Sequence, residues 1–308
     1  MTAVLTALGT MVLIAVAGWV LAALHVLSPQ APQVLARVVF TLSTPSLLIT
    51  TIGDADLSLL LTPAAATTWV TTLLVAAIAV VIFAGPLRSD RGTATVGVLS
   101  ASYINAGNLG IPVAVYVLGD ALAVVPTMLL QLLVLAPVSF AVADARGRGL
   151  AAVRRAVGSP LTIGALLGLL LALTGWQLPA VLDQPLRALA ATAPPLALLT
   201  LGMSLSRSAP APGQQPERPT ARHWASVAVA AVLRTTVHPA LTYLVAGLIG
   251  VPEEMRFTVV LMAALPTAQN VLVYAMQFRA GQRLARDAQV ITTFASLPVM
   301  VIVVALLH

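Results

Sequence analysis

Ten runs of roughly twenty apolar residues, each long enough to carry an α-helix across a bilayer, constrain this chain more than anything else in it. They lie at 5–27, 34–53, 62–85, 94–118, 122–142, 159–177, 188–206, 224–249, 257–278 and 288–307. In hydrocarbon every backbone N–H and C=O must be satisfied without water, and an apolar run of this length meets that demand as a helix. Composition agrees: of 308 residues, 59% are hydrophobic and 8% charged, with a mean hydropathy of +0.99. A soluble fold of this size would lack the charged side chains to cover its surface. The expected fold class is an all-α integral membrane protein of ten transmembrane helices.

All 16 basic residues are arginine, set against 10 acids for a net charge of +6. Thirteen of them fall in or beside alternate loops: Arg37, Arg88, Arg91, Arg146, Arg148, Arg154, Arg155, Arg207, Arg218, Arg222, Arg279, Arg283 and Arg286. The opposite loops hold Arg187 and Arg256, together with Asp54, Asp56, Asp120, Asp183, Glu253 and Glu254. By the positive-inside rule both termini lie outside, in an inner or plasma membrane. The basic balance is thus a topological signal, and nucleic acid is not an expected partner. The first run has no preceding positive charge and exceeds a signal-peptide h-region, so it is expected to stay in the mature chain. Trp69, Trp176 and Trp224 fall near run ends, as interfacial anchors do. Absent cysteine excludes disulfides, zinc–thiolate sites and redox motifs.

Two polar loops, 143–158 and the Pro-rich 206–223, divide the chain, and the latter reads as a flexible cytoplasmic linker. Neither is long enough to house a soluble catalytic domain. Cutting near residue 150 leaves five runs on each side, and five being odd, the second half enters the membrane from the opposite face. Residues 1–143 and 159–308 then read as inverted five-helix repeats joined by a cytoplasmic linker, 144–158. "TPSLLITTIG" from Thr44 and "APPLALLTLG" from Ala193 share Pro45/Pro194, Leu47/Leu196, Thr51/Thr200 and Gly53/Gly202 at identical spacing. "LAPV" at Leu135 and "SLPV" at Ser296 add a weaker match. Inverted repeats are a mark of secondary transporters.

The fourth run holds "NAGNLGIP" at 105–112, with Asn105, Gly107, Asn108, Gly110 and Pro112; the ninth holds "LPTAQN", with Pro266, Thr267, Gln269 and Asn270. Glycine and proline interrupt a helix and free backbone groups, which lipid tolerates only inside protein or beside a wet cavity. Taken singly, such residues serve as packing notches or kinks. Interruptions at matching positions of two halves point instead to a binding site at the bilayer midplane, where N–H groups at half-helix starts suit an anion.

"NAGNLGIPVAVYVLG" at 105–119, "PPLALLTLGMSL" from Pro194, "HPALTYLVAGLIGV" from His238 and "AALPTAQNVLVYAMQF" from Ala263 resemble the bacterial branch of the auxin efflux carrier family, which includes plant auxin exporters and proteins assigned as malonate carriers. The resemblance covers essentially the whole chain. It implies two inverted five-helix repeats, with spans one, two, six and seven forming a scaffold, often dimeric. The other spans would form a mobile domain in which four and nine cross at their breaks. The family's asparagine before "GIP" matches Asn105, and its crossover prolines match Pro112 and Pro266, where the substrate carboxylate would sit. Plant members carry "LPQGI" in place of "LPTAQN", so Thr267, Gln269 and Asn270 join the site by position. Thr44, Pro45 and Pro194 are the candidate scaffold wall; Met203 beside them reads as packing.

No acid lies inside a run, so a carboxylate-based coupling site is not expected, although backbone carbonyls at a helix break can hold Na⁺. Arg234 and His238, one turn apart in the eighth run, are its ionisable groups. Two readings stand for Arg234: a charge partner in the site, or a side chain snorkelling to the cytoplasmic edge. His238 reads as a hydrogen-bonding packing residue or a proton carrier. The expected function is alternating-access transport of a small organic carboxylate, by export or potential-driven uniport, with an elevator-type movement implied by the resemblance. Proton- or sodium-coupled dicarboxylate symport is the alternative. No metal, cofactor or enzymatic site is expected. A membrane sensor would normally add an output domain, and an intramembrane enzyme would need a nucleophile–base pair or metal ligands.

Overall fold

The computed structural model describes residues 2–28, 30–55, 62–143, 154, 157–205 and 220–307. Most of the 144–158 linker and of the 206–223 loop lies outside them. The described residues are almost wholly helical and contain no β-strand. They form α1 (Thr2–Ala23), α2 (Ala31–Gly53), α3 (Pro63–Ala84), α4 (Arg91–Ser102), α5 (Ala106–Leu118), α6 (Ala121–Ala143) and α7 (Pro160–Thr174). After these come α8 (Ala180–Met203), α9 (Ala221–Ile249), α10 (Glu253–Ala263), α11 (Gln269–Phe278) and α12 (Gln282–Leu307). Among the described residues six helices, α2, α3, α6, α8, α9 and α12, are long and apolar enough to cross a membrane. The fourth and ninth apolar runs are each divided, into α4 with α5 and α10 with α11.

Local chemistry sets the boundaries. Thr62, Asp90, Ser159 and Thr220 cap helix N-termini by accepting from the backbone N–H three residues on. Proline also leaves its signature inside helices. The stretches Val39–Ser43, Gln131–Leu135 and Leu233–Val237 widen to π-helix just before Pro45, Pro137 and Pro239. A proline ring blocks the preceding carbonyl and supplies no N–H, and a wider turn absorbs the mismatch.

The chain divides into two compact units. One comprises Met1–Leu57, Gly107–Val125 and Ser159–Glu217; the other comprises Ser58–Ala106, Pro126–Gly158 and Arg218–His308.

In the first unit α1 packs on α8 and α2 on α7. Glycine makes both contacts close: a Cβ on Gly18 or Gly202 would run into the backbone carbonyl of Leu199 or Ala15, and one on Gly164 or Gly168 into that of Pro45 or Leu48. Without a hydrophobic force between helices in lipid, such small-residue contacts carry the association. The hydroxyls of Ser43 and Thr192 meet at 2.8 Å. At an exposed end Arg187 pairs with Asp54 and Asp183, each at 2.8 Å.

The second unit has an apolar core that includes Val75, Phe83, Leu99, Tyr103, Val271 and Leu284. Thr242 on α9 donates to Thr71 on α3 at 3.1 Å. The Trp69 indole N–H donates to the Pro126 carbonyl at 2.9 Å, tying α3 to α6. Trp176 and Trp224 are 60% and 47% exposed, as anchors would be.

Candidate functional site

Within the second unit the two interruptions meet. α4 ends at Ser102 and α10 at Ala263; the chain is extended directly after α4, and after α10 once past the turn residue Ala264. Ile104 and Thr267 face one another in an antiparallel bridge. The Asn105 N–H donates to the Pro266 carbonyl at 2.8 Å, and the Ala268 N–H donates to the Tyr103 carbonyl at 3.0 Å. The Thr267 N–H donates to Thr292 Oγ1 at 3.1 Å, and its hydroxyl donates to the Ser100 carbonyl at 2.6 Å. Backbone groups freed by the two breaks therefore satisfy each other, as lipid-depth backbone must.

Of the residues singled out in sequence, the structure brings Asn105, Pro266, Thr267, Gln269 and Asn270 together at this junction, on the extended segments and the first turn of α11. Asn105 is 4% exposed. Its neighbours Gly107 and Asn108, on α5, are half-buried, while Gly110 and Pro112 are buried. A Cβ on Gly107 would meet nothing within 4 Å. Thr44, Pro45 and Pro194 are buried in the first unit, where Pro45 lies against Gly164. Met203 is buried there as packing, as its sequence position suggested.

Arg234 is fully buried, which removes the snorkelling alternative. One terminal guanidinium nitrogen donates to the Ser102 carbonyl at 3.2 Å; the other donates to the Ala263 carbonyl at 2.6 Å and to His238 Nδ1. Guanidinium has donors only, so Nδ1 is the acceptor and the ring hydrogen sits on Nε2, 3.4 Å from Thr72 Oγ1. His238 is thus a hydrogen-bonding residue clamped between Arg234 and α3. Burying an arginine costs several kcal/mol. Three acceptors, at about 1.5–3 kcal/mol for each bond to a charged group, work against that cost, and the buried Nε–H, which has no partner among the described residues, adds to it.

Two residues escaped the sequence reading. Tyr103 and Tyr274 place their hydroxyls 3.3 Å apart, their rings pack edge to face at 5.7 Å, and Asn270 bonds the Tyr103 hydroxyl. Tyr274 lies inside a quoted motif and Tyr103 just ahead of one, and the available signal was a phenol two positions before Asn105 and one a single turn after Asn270.

A second polar space, of about 270 Å³, lies at the other end of α4 and is lined by Arg88, Asp90, Arg222 and His223 among others. Arg222 there donates to the carbonyls of Leu87 and Arg88, and His223 Nε2 lies 2.8 Å from Asp287 Oδ2. Among the described residues no group of His, Asp and Glu is placed to hold a metal ion.

Apolar helices in multi-pass number, with two apolar runs broken and joined at a buried polar junction, mark a multi-pass membrane protein. The chain belongs to the membrane transport protein family, which it matches over residues 3–304; this is the auxin efflux carrier family that its motifs resemble. It is also similar to a protein of Rhizobium meliloti (strain 1021) named "Putative malonate transporter", 29% identical over 221 residues. That match covers 68% of this chain and 66% of the relative, so the chain spans just under two thirds of the relative's length.

Proposed function

We propose that this protein is a secondary transporter of small organic carboxylates, working by alternating access, and that it binds substrate at the junction of its two interrupted spans. The observation that carries this reading is the pairing of 103–105 with 266–268 around Asn105. Carboxylate recognition is favoured by the start of α11, which has no side-chain cap and presents the positive end of its dipole. Asn105, Gln269 and Asn270 add neutral amides. The name of the similar Rhizobium protein makes malonate the first substrate to try.

Ten spans in two inverted repeats are part of the reading. Support comes from the paired contacts of the first unit, α1 on α8 and α2 on α7, which an exchange of the halves would interchange. Ser43 and Thr192, which meet at 2.8 Å, are separated by 149 residues, the offset of the motifs that follow them. The unit holding α1, α2, α7 and α8 is proposed as the scaffold, including Thr44, Pro45 and Pro194, and as the surface for homodimer formation. The other unit is proposed to carry the substrate. An inside location for the 85–91, 220–223 and 279–286 segments is favoured by Arg88, Arg91, Arg222, Arg279, Arg283 and Arg286, and the contact of Gly92 with Ala280 puts two of these segments at one end of the unit. Both termini are then outside.

The test is flux in proteoliposomes. Radiolabelled malonate should accumulate against a protein-free control, and Asn105→Ala should lose it while eluting as a folded species. Flux equal to the protein-free control, for malonate and for a panel of mono- and dicarboxylates, refutes transport of this class.

A further inference from the structure

Arg234 lies where two helices end. Its acceptors Ser102 and Ala263 are the last residues of α4 and α10, and among the described residues no carboxylate is its partner. Each helix C-terminus carries about half a negative elementary charge. Two of them together match one guanidinium, so the converging helix ends are its counter-ion. C-terminal carbonyls of broken helices are also the groups that hold coupling cations at the centre of secondary transporters. Here the N–H donors of a covalently attached cation already occupy both, and His238, braced by Thr72, supplies a third acceptor, leaving the buried Nε–H without a partner among the described residues. The wide π turn Leu233–Val237, caused by Pro239, carries Arg234 in the middle of α9.

We propose that Arg234 is a resident cation of the junction, standing in the place of a bound metal ion, so that carboxylate binding by this chain needs no sodium. The claim rests on the transport reading and narrows it to a sodium-independent carrier.

The test uses the purified full-length chain in detergent, melted across a malonate titration in sodium chloride and in choline chloride of equal ionic strength. The malonate concentration giving half the stabilisation should differ by less than about threefold between the two salts. A malonate effect that appears only with sodium overturns the proposal and leaves the transport reading standing. If malonate stabilises in neither salt, malonate binding itself has failed, and the ligand-free variants decide the role of Arg234. Arg234→Lys, which keeps a cation, should retain more of the wild-type melting temperature than the neutral Arg234→Gln, and the wild type should melt alike in both salts. Equal losses in the two variants, a Gln variant as stable as wild type, or a wild type that requires sodium each overturn the proposal.

Discussion

At the scale of single residues, Asn105 and Asp90 make opposite kinds of prediction. Asn105 sits in the bridge with its backbone N–H committed to Pro266, so a change of side chain leaves the backbone pairing in place. Asn105→Ala is expected to weaken malonate binding roughly 10- to 150-fold, the worth of one hydrogen bond to a charged group, with a melting temperature within a few degrees of wild type. Titration of malonate-induced stabilisation checks this, and unchanged affinity removes Asn105 from the site. Asp90 caps α4 by accepting from the Thr93 N–H at 3.0 Å, and Thr93, through its side chain and then its backbone, holds the carboxyl below the usual range. A depressed folded-state pKa stabilises above the unfolded value and loses that contribution as pH falls through the folded one. Asp90→Ala should therefore cost about 0.5–1 kcal/mol at neutral pH, at the low end because the site is exposed. The gap from wild type should shrink below about pH 4 in a pH series of melting curves.

Helix elements show both what sequence makes legible and where it stops. The ten apolar runs are visible because lipid imposes length and composition on a helix locally, and the breaks are visible because glycine and proline act on their own segment. Pairing of Ile104 with Thr267 is a long-range event, and no local pattern states it. For the same reason Tyr103 and Tyr274 went unread: each is an ordinary helix-compatible residue until the partner segment arrives. Arg234 stood out by charge, but sequence could not choose between site and membrane edge, because that depends on which carbonyls face it. The π turns ahead of Pro45, Pro137 and Pro239 follow from proline's missing N–H and are readable in hindsight. Close packing makes a prediction at this scale. Gly202→Ile, which forces a side chain into the Ala15 carbonyl, should unseat α1 from α8 and lower the melting temperature sharply or abolish folded yield. Gly107→Ala meets open space and should be tolerated in stability. Comparable melting of the two variants would contradict the packing described.

For the whole molecule, the proposed carrier, with its central cation covalently part of the protein and no proton carried alongside, moves the charge of its substrate and nothing to balance it. Transport of an anion should then respond to membrane potential, each charge gaining about 2.3 kcal/mol per 100 mV, a roughly 40-fold gradient. Potassium–valinomycin potentials of either sign across proteoliposomes measure this: efflux from an inside-negative vesicle should rise and reversal of the potential should reverse the bias. Indifference to potential would require a compensating ion. The same junction bears on how the molecule is made. Ser102 waits for a guanidinium 132 residues further along the chain, and Asn105 waits longer still for Pro266. Until the later residues have left the ribosome, the first half lies in the bilayer with bare carbonyls at its centre. Insertion machinery or a chaperone must shelter it in that interval, and a polypeptide truncated after the fifth apolar run should be cleared by membrane proteases rather than accumulate as half a transporter.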